Sequence, residues 1–134
     1  MSNTIFSKIV LGEIPCDKVF EDDDHLAFLD IRPLSEGHTL VIPKKGYVDI
    51  FDMPSDEFGE FMEFVRFVAL GVKKAVKCEG VNVGINNGAA SGQEVMHLHV
   101  HVIPRNSGDG FKAWTRPENT ADLEAVAENI AKHL

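Results

Sequence analysis

The chain has 134 residues, 44% hydrophobic and 25% charged, which suits one soluble domain with a sizeable core. Its formal net charge of -8, from 13 Lys+Arg against 21 Asp+Glu, excludes the global basic footprint of a nucleic-acid binder, while local donors can still hold a small anionic ligand. Two cysteines, Cys16 and Cys78, exclude a disulfide scaffold and read as buried free thiols; with no signal peptide and no apolar span, the expectation is a cytoplasmic protein with no membrane partner.

In chain order, Phe6 to Leu11 predicts a helical turn stopped by Gly12 and Pro15. Val19 to Glu21 and Leu26 to Leu29 predict two short strands, with Asp22, Asp23 and Asp24 supplying turn chemistry between them. Thr39 to Pro43 predicts a third strand. Ser55 to Lys77 carries apolar residues at helical spacing, with Ser55 as the cap, Asp56 and Glu57 at its positive end and Lys73, Lys74 and Lys77 at the other. A second apolar stripe, Phe64, Phe67 and Gly71, asks for a second cover: a second copy of the chain, or burial within one chain. Gly80 to Asn87 alternates as a strand, Asn87 to Glu94 is a Gly/Ser/Ala loop, and His97 to Ile103 is a further strand. Asn106 to Glu118 reads as a surface connector, and Thr120 to Leu134 as a helix with Leu123, Val126, Ala127 and Ile130 on one face. The sum is a single α+β domain over 1–134, core about 5–105 and extension 106–134, built on an antiparallel sheet with one long helix and a C-terminal helix.

The chemistry concentrates in Met96-His97-Leu98-His99-Val100-His101-Val102. Strand alternation puts His97, His99 and His101 on one face and Leu98, Val100 and Val102 on the other. Six histidines placed at random give about 0.01 such triplets in 134 residues. Three imidazoles suit a metal or a phosphate. A straight strand sets the first and third about 13–14 Å apart, too far to share one ion. A neutral imidazole, by contrast, is a good nucleophile toward phosphorus, and its neighbours can stabilise the charge that moves onto the oxygens. Gly88 and Gly92, with Asn86, Asn87, Ser91 and Gln93, make the preceding loop either a phosphate cradle or a plain connection. Asp30 at a strand end suits ribose hydroxyls or a turn, and His38 either supports the triad or lies on the surface.

Together these segments resemble the histidine triad (HIT) family of nucleotide hydrolases and transferases. The resemblance rests on His97-Leu98-His99-Val100-His101-Val102-Ile103, on Glu21 to Ile31 (EDDDHLAFLDI), on Glu36 to Lys45 (EGHTLVIPKK) and on Asn86 to Gln93 (NNGAASGQ). It covers about Ile5 to Arg105 and implies a HIT-like fold with a five-stranded sheet. It implies His99 as the nucleophile that takes up the nucleoside phosphoryl group, His101 as a donor to the phosphate, His97 as support and His38 beside them. By the same resemblance Asn86, Gly92, Gln93 and Glu94 line the phosphate pocket and Asp30 holds the ribose. Ile5, Phe6, Ile9, Phe28 and Ile31 then form the base pocket. The implied ligand is a purine nucleoside monophosphate such as AMP or GMP, with no cofactor and no metal. The implied assembly is a homodimer joined sheet edge to sheet edge, the long helix taking part.

Two positions depart from the pattern. Thr4 and Ser7 stand where many bacterial relatives carry the Cys-x-x-Cys of a structural zinc site. Glu94 stands where phosphoramidase-type members usually carry a Ser that assists the leaving group. The expected activity is hydrolysis or transfer at AMP- or GMP-linked phosphoramidate or phosphoanhydride bonds. The alternatives are a dinucleoside polyphosphate hydrolase, suggested by the Ile103-Pro104-Arg105 ending, or a nucleotide-binding interaction protein with little turnover.

Overall fold

A computed structural model describes residues 3–112 and 114–134. Its elements run α1 (Ile5–Val10), β1 (Lys18–Glu21), β2 (His25–Leu29), β3 (Thr39–Pro43), α2 (Ser55–Val76), β4 (Gly80–Ile85), a 3-10 turn (Ala89–Ser91), β5 (Val100–Arg105) and α3 (Leu123–Ala131). The strands form one antiparallel sheet in the order β1-β2-β3-β5-β4.

Register sorts the two faces. Phe28 pairs with Leu40 and Leu40 with His101, so these share one face; Ala27, Val41 and Val100 pair in the same way on the other. The long helix α2 covers the second face. Its Phe61, Phe64, Val65, Val68 and Val72 pack with Ala27, Val41, Leu98, Val100 and Val102. Full burial of each such side chain contributes about 1.5–3 kcal/mol. The first face is covered by α1, six residues long, whose Phe6 packs with Leu26, Phe28, Leu40 and Ile42, with Cys16 and Val95 beside it. So short a cover leaves much of that face open, and the cleft described below occupies it.

Several expectations are corrected. The last strand begins at Val100 rather than His97, because His97 is held by a carbonyl of β3 before ladder pairing starts. Ser55 is the first helical residue and not the cap; Pro54, extended at φ -60 and ψ 149, takes the cap position with no side-chain bond. Phe64 belongs to the chain's own core, whereas Phe67 is exposed and meets Phe20 with ring centroids 5.2 Å apart. Cys78 is buried but Cys16 only partly so; both are free. The C-terminal helix is shorter than expected, capped by Asp122, and all its residues are exposed.

The departure at Thr4 and Ser7 has a local role. Thr4 caps α1, its hydroxyl accepting from the Ser7 N–H at 3.1 Å, while the Ser7 hydroxyl donates to the Thr4 carbonyl at 2.7 Å. This pair fixes the start of the helix that walls the cleft.

Candidate active site

A cleft of about 610 Å³ lies between α1, the start of β3, the end of β2 and the loop before β5, within the size range of small-molecule sites. Ile5, Phe6, Ile9, Phe28 and Ile31, the residues that the family resemblance assigns to a base pocket, all line this cleft and form its apolar end. Asp30, His38, Asn86, Gly92, Glu94, His99 and His101 line the polar end. Phe6 joins the two ends: its ring stands edge-on to Phe28 at 5.5 Å and to His99 at 5.0 Å. Arg32, Leu34 and Cys16 also line the cleft and were missed, because single residues in turns carry no periodic signal.

Two expected lining residues are placed differently. Gln93 is buried and outside the cleft. Its Nε2 donates to the Val48 and Val95 carbonyls at 2.7 and 3.0 Å, and its Oε1 accepts from Gly88 N–H at 2.8 Å. It shapes the loop from behind. His97 is fully buried, so the three imidazoles do not all face one ligand. Two other loop side chains also make bonds within the chain: Ser91 Oγ donates to the Asn87 carbonyl at 2.9 Å, and Asn87 Oδ1 accepts from Ile50 N–H at 3.0 Å. Gly92 has φ +103, a left-handed conformation in which a Cβ would sit 3.4 Å from Asn86 Nδ2. That contact is an ordinary one, so it is the backbone conformation rather than space that calls for glycine there.

Burial lowers the pKa of His38, His97, His99 and His101 below the ordinary 6.5, the nearby charges being weaker influences. All four are therefore neutral at neutral pH, and their partners assign the protons. Leu34 N–H donates to His38 Nδ1 at 3.1 Å, so His38 carries its proton on Nε2. That Nε2–H donates to His101 Nδ1 at 3.0 Å, which leaves the His101 proton on Nε2. His99 Nδ1 lies 2.7 Å from the His97 carbonyl, which can only accept, so His99 holds its proton there and its Nε2 is a bare lone pair. His97 Nε2 donates to the Pro43 carbonyl at 2.7 Å, and its Nδ1 is buried without a partner among the described residues. The rings of His99 and His101, 5.1 Å apart, thus offer a nucleophile beside a donor.

Asp30 stands behind this pair. Its Oδ1 accepts from Arg32 N–H at 2.8 Å, and its Oδ2 lies 3.7 Å from His38 Nε2. Asp30, His38 and His101 are the one set of three side chains among the described residues whose ligand atoms lie close enough, within 4.8 Å, to share a cation. Two of those atoms are engaged with each other in the His38–His101 bond.

A family model described as HIT domain matches residues 11–108. The chain belongs to the HIT family. An uncharacterised HIT-like protein of Methanocaldococcus jannaschii is 45% identical over 126 residues, covering 94% of this chain and 97% of the relative. Adenylylsulfatase HINT3 of Arabidopsis thaliana is 40% identical, covering 99% of this chain and 70% of the relative. A crystal structure of a protein from Streptococcus mutans superposes on this HIT chain with a TM-score of 0.91 at 39% identity, covering 99% of this chain and 86% of the other. The histidine triad nucleotide-binding protein of Candida albicans superposes with a TM-score of 0.80 at 31% identity, covering 98% and 94%. The five-stranded antiparallel sheet with a long helix and a C-terminal helix is thus the fold of this family.

Proposed function

We propose that this HIT protein hydrolyses or transfers purine nucleoside monophosphate groups, cleaving AMP- or GMP-linked phosphoramidate or phosphoanhydride bonds through a nucleotidyl-His99 intermediate. One observation carries the reading: the bare Nε2 of neutral His99 sits beside His101, whose proton is on Nε2. The His99 lone pair attacks phosphorus, the bond to the leaving group breaks, and its electron pair departs with that group. His101 Nε2–H donates to a phosphoryl oxygen as charge builds there. The His97 carbonyl supports the positive charge that His99 acquires. Water then attacks phosphorus, the bond from phosphorus to His99 Nε2 breaks with its electron pair returning to the ring, and the water proton passes to solvent, which releases the nucleotide and returns His99 to its neutral form.

The apolar end of the cleft suits a purine, and Asp30, which lines the same cleft, suits the ribose hydroxyls. The names of two relatives, an adenylylsulfatase and a nucleotide-binding protein, support this substrate class. We place the protein in the cytoplasm, in keeping with its two free thiols, and as a homodimer joined through β4. The β1 edge carries the Lys18–Glu21 ion pair, whereas β4, GVNVGI, bears no charge to blunt its edge.

The test is His99→Ala in the full chain. Turnover of an adenosine phosphoramidate should disappear while AMP binding persists; turnover at the parent rate would remove His99 from its assigned role.

A further inference from the structure

We infer that Glu94 selects the leaving group: the protein favours nucleotides whose phosphorus is joined to an amine over those joined to an anionic oxygen group. The inference rests on the nucleotidyl-transfer reading above and adds to it which bond is preferred.

Glu94 lines the cleft with His99 and His101. Its position is fixed from both sides. Gln93 is pinned to Gly88 and Val48, and the Gln93 amide also holds the Val95 carbonyl. Glu94 is therefore held at the cleft between two anchored neighbours, with its own side chain exposed. No hydrogen bond or ion pair engages its carboxylate among the described residues. The other carboxylate of the cleft, Asp30, is engaged by the Arg32 N–H and lies near His38. The charge of Glu94 reaches both reactive imidazoles, favouring their protonated forms against the larger effect of burial. Arg32 is the single Lys or Arg among the residues lining the cleft. A nucleotide phosphoryl group entering here therefore shares the cleft with a carboxylate that has no partner among the described residues.

That charge treats two bond types oppositely. In a phosphoramidate the nitrogen reacts in its protonated form. The His99 Nε2–P bond forms, the P–N bond breaks, and the bond pair leaves with nitrogen as a neutral amine that then takes a solvent proton as ammonium. A carboxylate nearby stabilises both the protonated nitrogen before cleavage and the ammonium after it. In an anhydride with sulfate or phosphate, the P–O bond breaks and the pair leaves on oxygen. Negative charge then grows on a group already anionic, and Glu94 opposes it.

The experiment measures kcat/KM of the full chain for two substrates with the same nucleoside, an N-alkyl adenosine 5′-phosphoramidate and adenosine 5′-phosphosulfate. Glu94→Gln, which keeps size and removes charge, is compared with the parent. Glu63→Gln, on an exposed site of α2, makes the same change in net charge away from the cleft. The parent should prefer the phosphoramidate. Glu94→Gln should lower the phosphoramidate-to-phosphosulfate ratio by about tenfold or more, equivalent to about 1.4 kcal/mol, and raised salt should narrow the difference. Glu63→Gln should leave the ratio where it is. A ratio unmoved by Glu94→Gln, with both substrates turned over, overturns the role of Glu94 and leaves the proposed activity standing. Absence of turnover of both substrates by the parent overturns the proposed activity and the assignment that rests on it.

Discussion

His38 Nε2 donates to His101 Nδ1 at 3.0 Å, and this one bond decides which nitrogen of His101 carries its proton. The direction is set a step earlier, where Leu34 N–H occupies His38 Nδ1. A backbone amide thus fixes the tautomer of an imidazole two residues removed along the hydrogen-bond chain. Neutral His101 should show its proton on Nε2 in nitrogen-15 spectra of the parent protein. His38→Ala should release that preference and lower kcat by about tenfold or more, with a smaller change in KM. A proton found on His101 Nδ1 in the parent would contradict the chain of donors.

Burial also makes these histidines report on stability. The pKa values of His38, His97, His99 and His101 are all lowered in the fold from 6.5. Below about pH 6.5 the unfolded chain takes up protons that the native state refuses, so stability falls as the pH falls through and below that value. The loss continues until each folded imidazole itself protonates; above about pH 7.5 these groups contribute no slope. At pH 5.5 the cost is at most about 1.4 kcal/mol for each group. Urea midpoints at pH 7.5 and 5.5 should show the drop, and an equal or higher midpoint at pH 5.5 would reject it.

Most of the architecture could be read from the chain because its signals are local and periodic. The apolar run of β3, buried on both faces, the alternation of β5 and the stripes of α2 identify these elements. Fold and family followed from motifs whose order is preserved. What stayed hidden depends on contacts distant in sequence. The burial of His97 requires the Pro43 carbonyl, 54 residues earlier, and the removal of Gln93 from the cleft requires Val48, 45 residues earlier. Neither partner is marked by residue type, since both are backbone atoms. The same holds for the choice of His99: its spacing is no different from that of its neighbours, and its bare nitrogen is visible only once the carbonyl that binds the other is in place.

Gln93 is the anchor of the loop that carries Asn86, Gly92 and Glu94. Gln93→Leu has similar bulk but leaves Gly88 N–H and the Val48 and Val95 carbonyls without their partner. Such partly buried groups cost up to about 1–3 kcal/mol each where water cannot replace the bond. A loss of about 3 kcal/mol in chemical denaturation is expected, together with weaker AMP binding because the loop is released. Parent-like stability would show that the loop is held by other contacts.

Gly37 sets the position of His38 by a different means. At φ +91 it is left-handed, and a Cβ there would lie 2.9 Å from Val76 Cγ1 and 3.3 Å from Pro104 Cγ. Gly37→Ala therefore combines backbone strain with a clash against the end of α2, costing about 1–3 kcal/mol for the strain alone. Because Leu34, Ser35 and His38 close one turn here, with His38 N–H donating to the Ser35 carbonyl at 3.1 Å, the shift should also disturb His101. Reduced stability accompanied by a changed His101 nitrogen spectrum is the expected pair of results. Unchanged stability would mean that Val76 and Pro104 give way freely.

The proposed dimer has its own test at β4. Val83 pairs with Val102 and points to the α2 face, yet remains 48% exposed because β4 ends the sheet. In a two-fold pairing each copy presents the same strand to the other, so one substitution acts on both sides of the contact. Val83→Lys places two like charges near one another and installs the residue by which natural sheet edges resist pairing. Light scattering on the parent should give the mass of two chains, and on Val83→Lys a shift toward one. The variant should keep its fold, since the side chain is half outside the core. A parent that scatters as one chain at all concentrations would reject the dimer, and a variant that stays dimeric would move the contact away from β4.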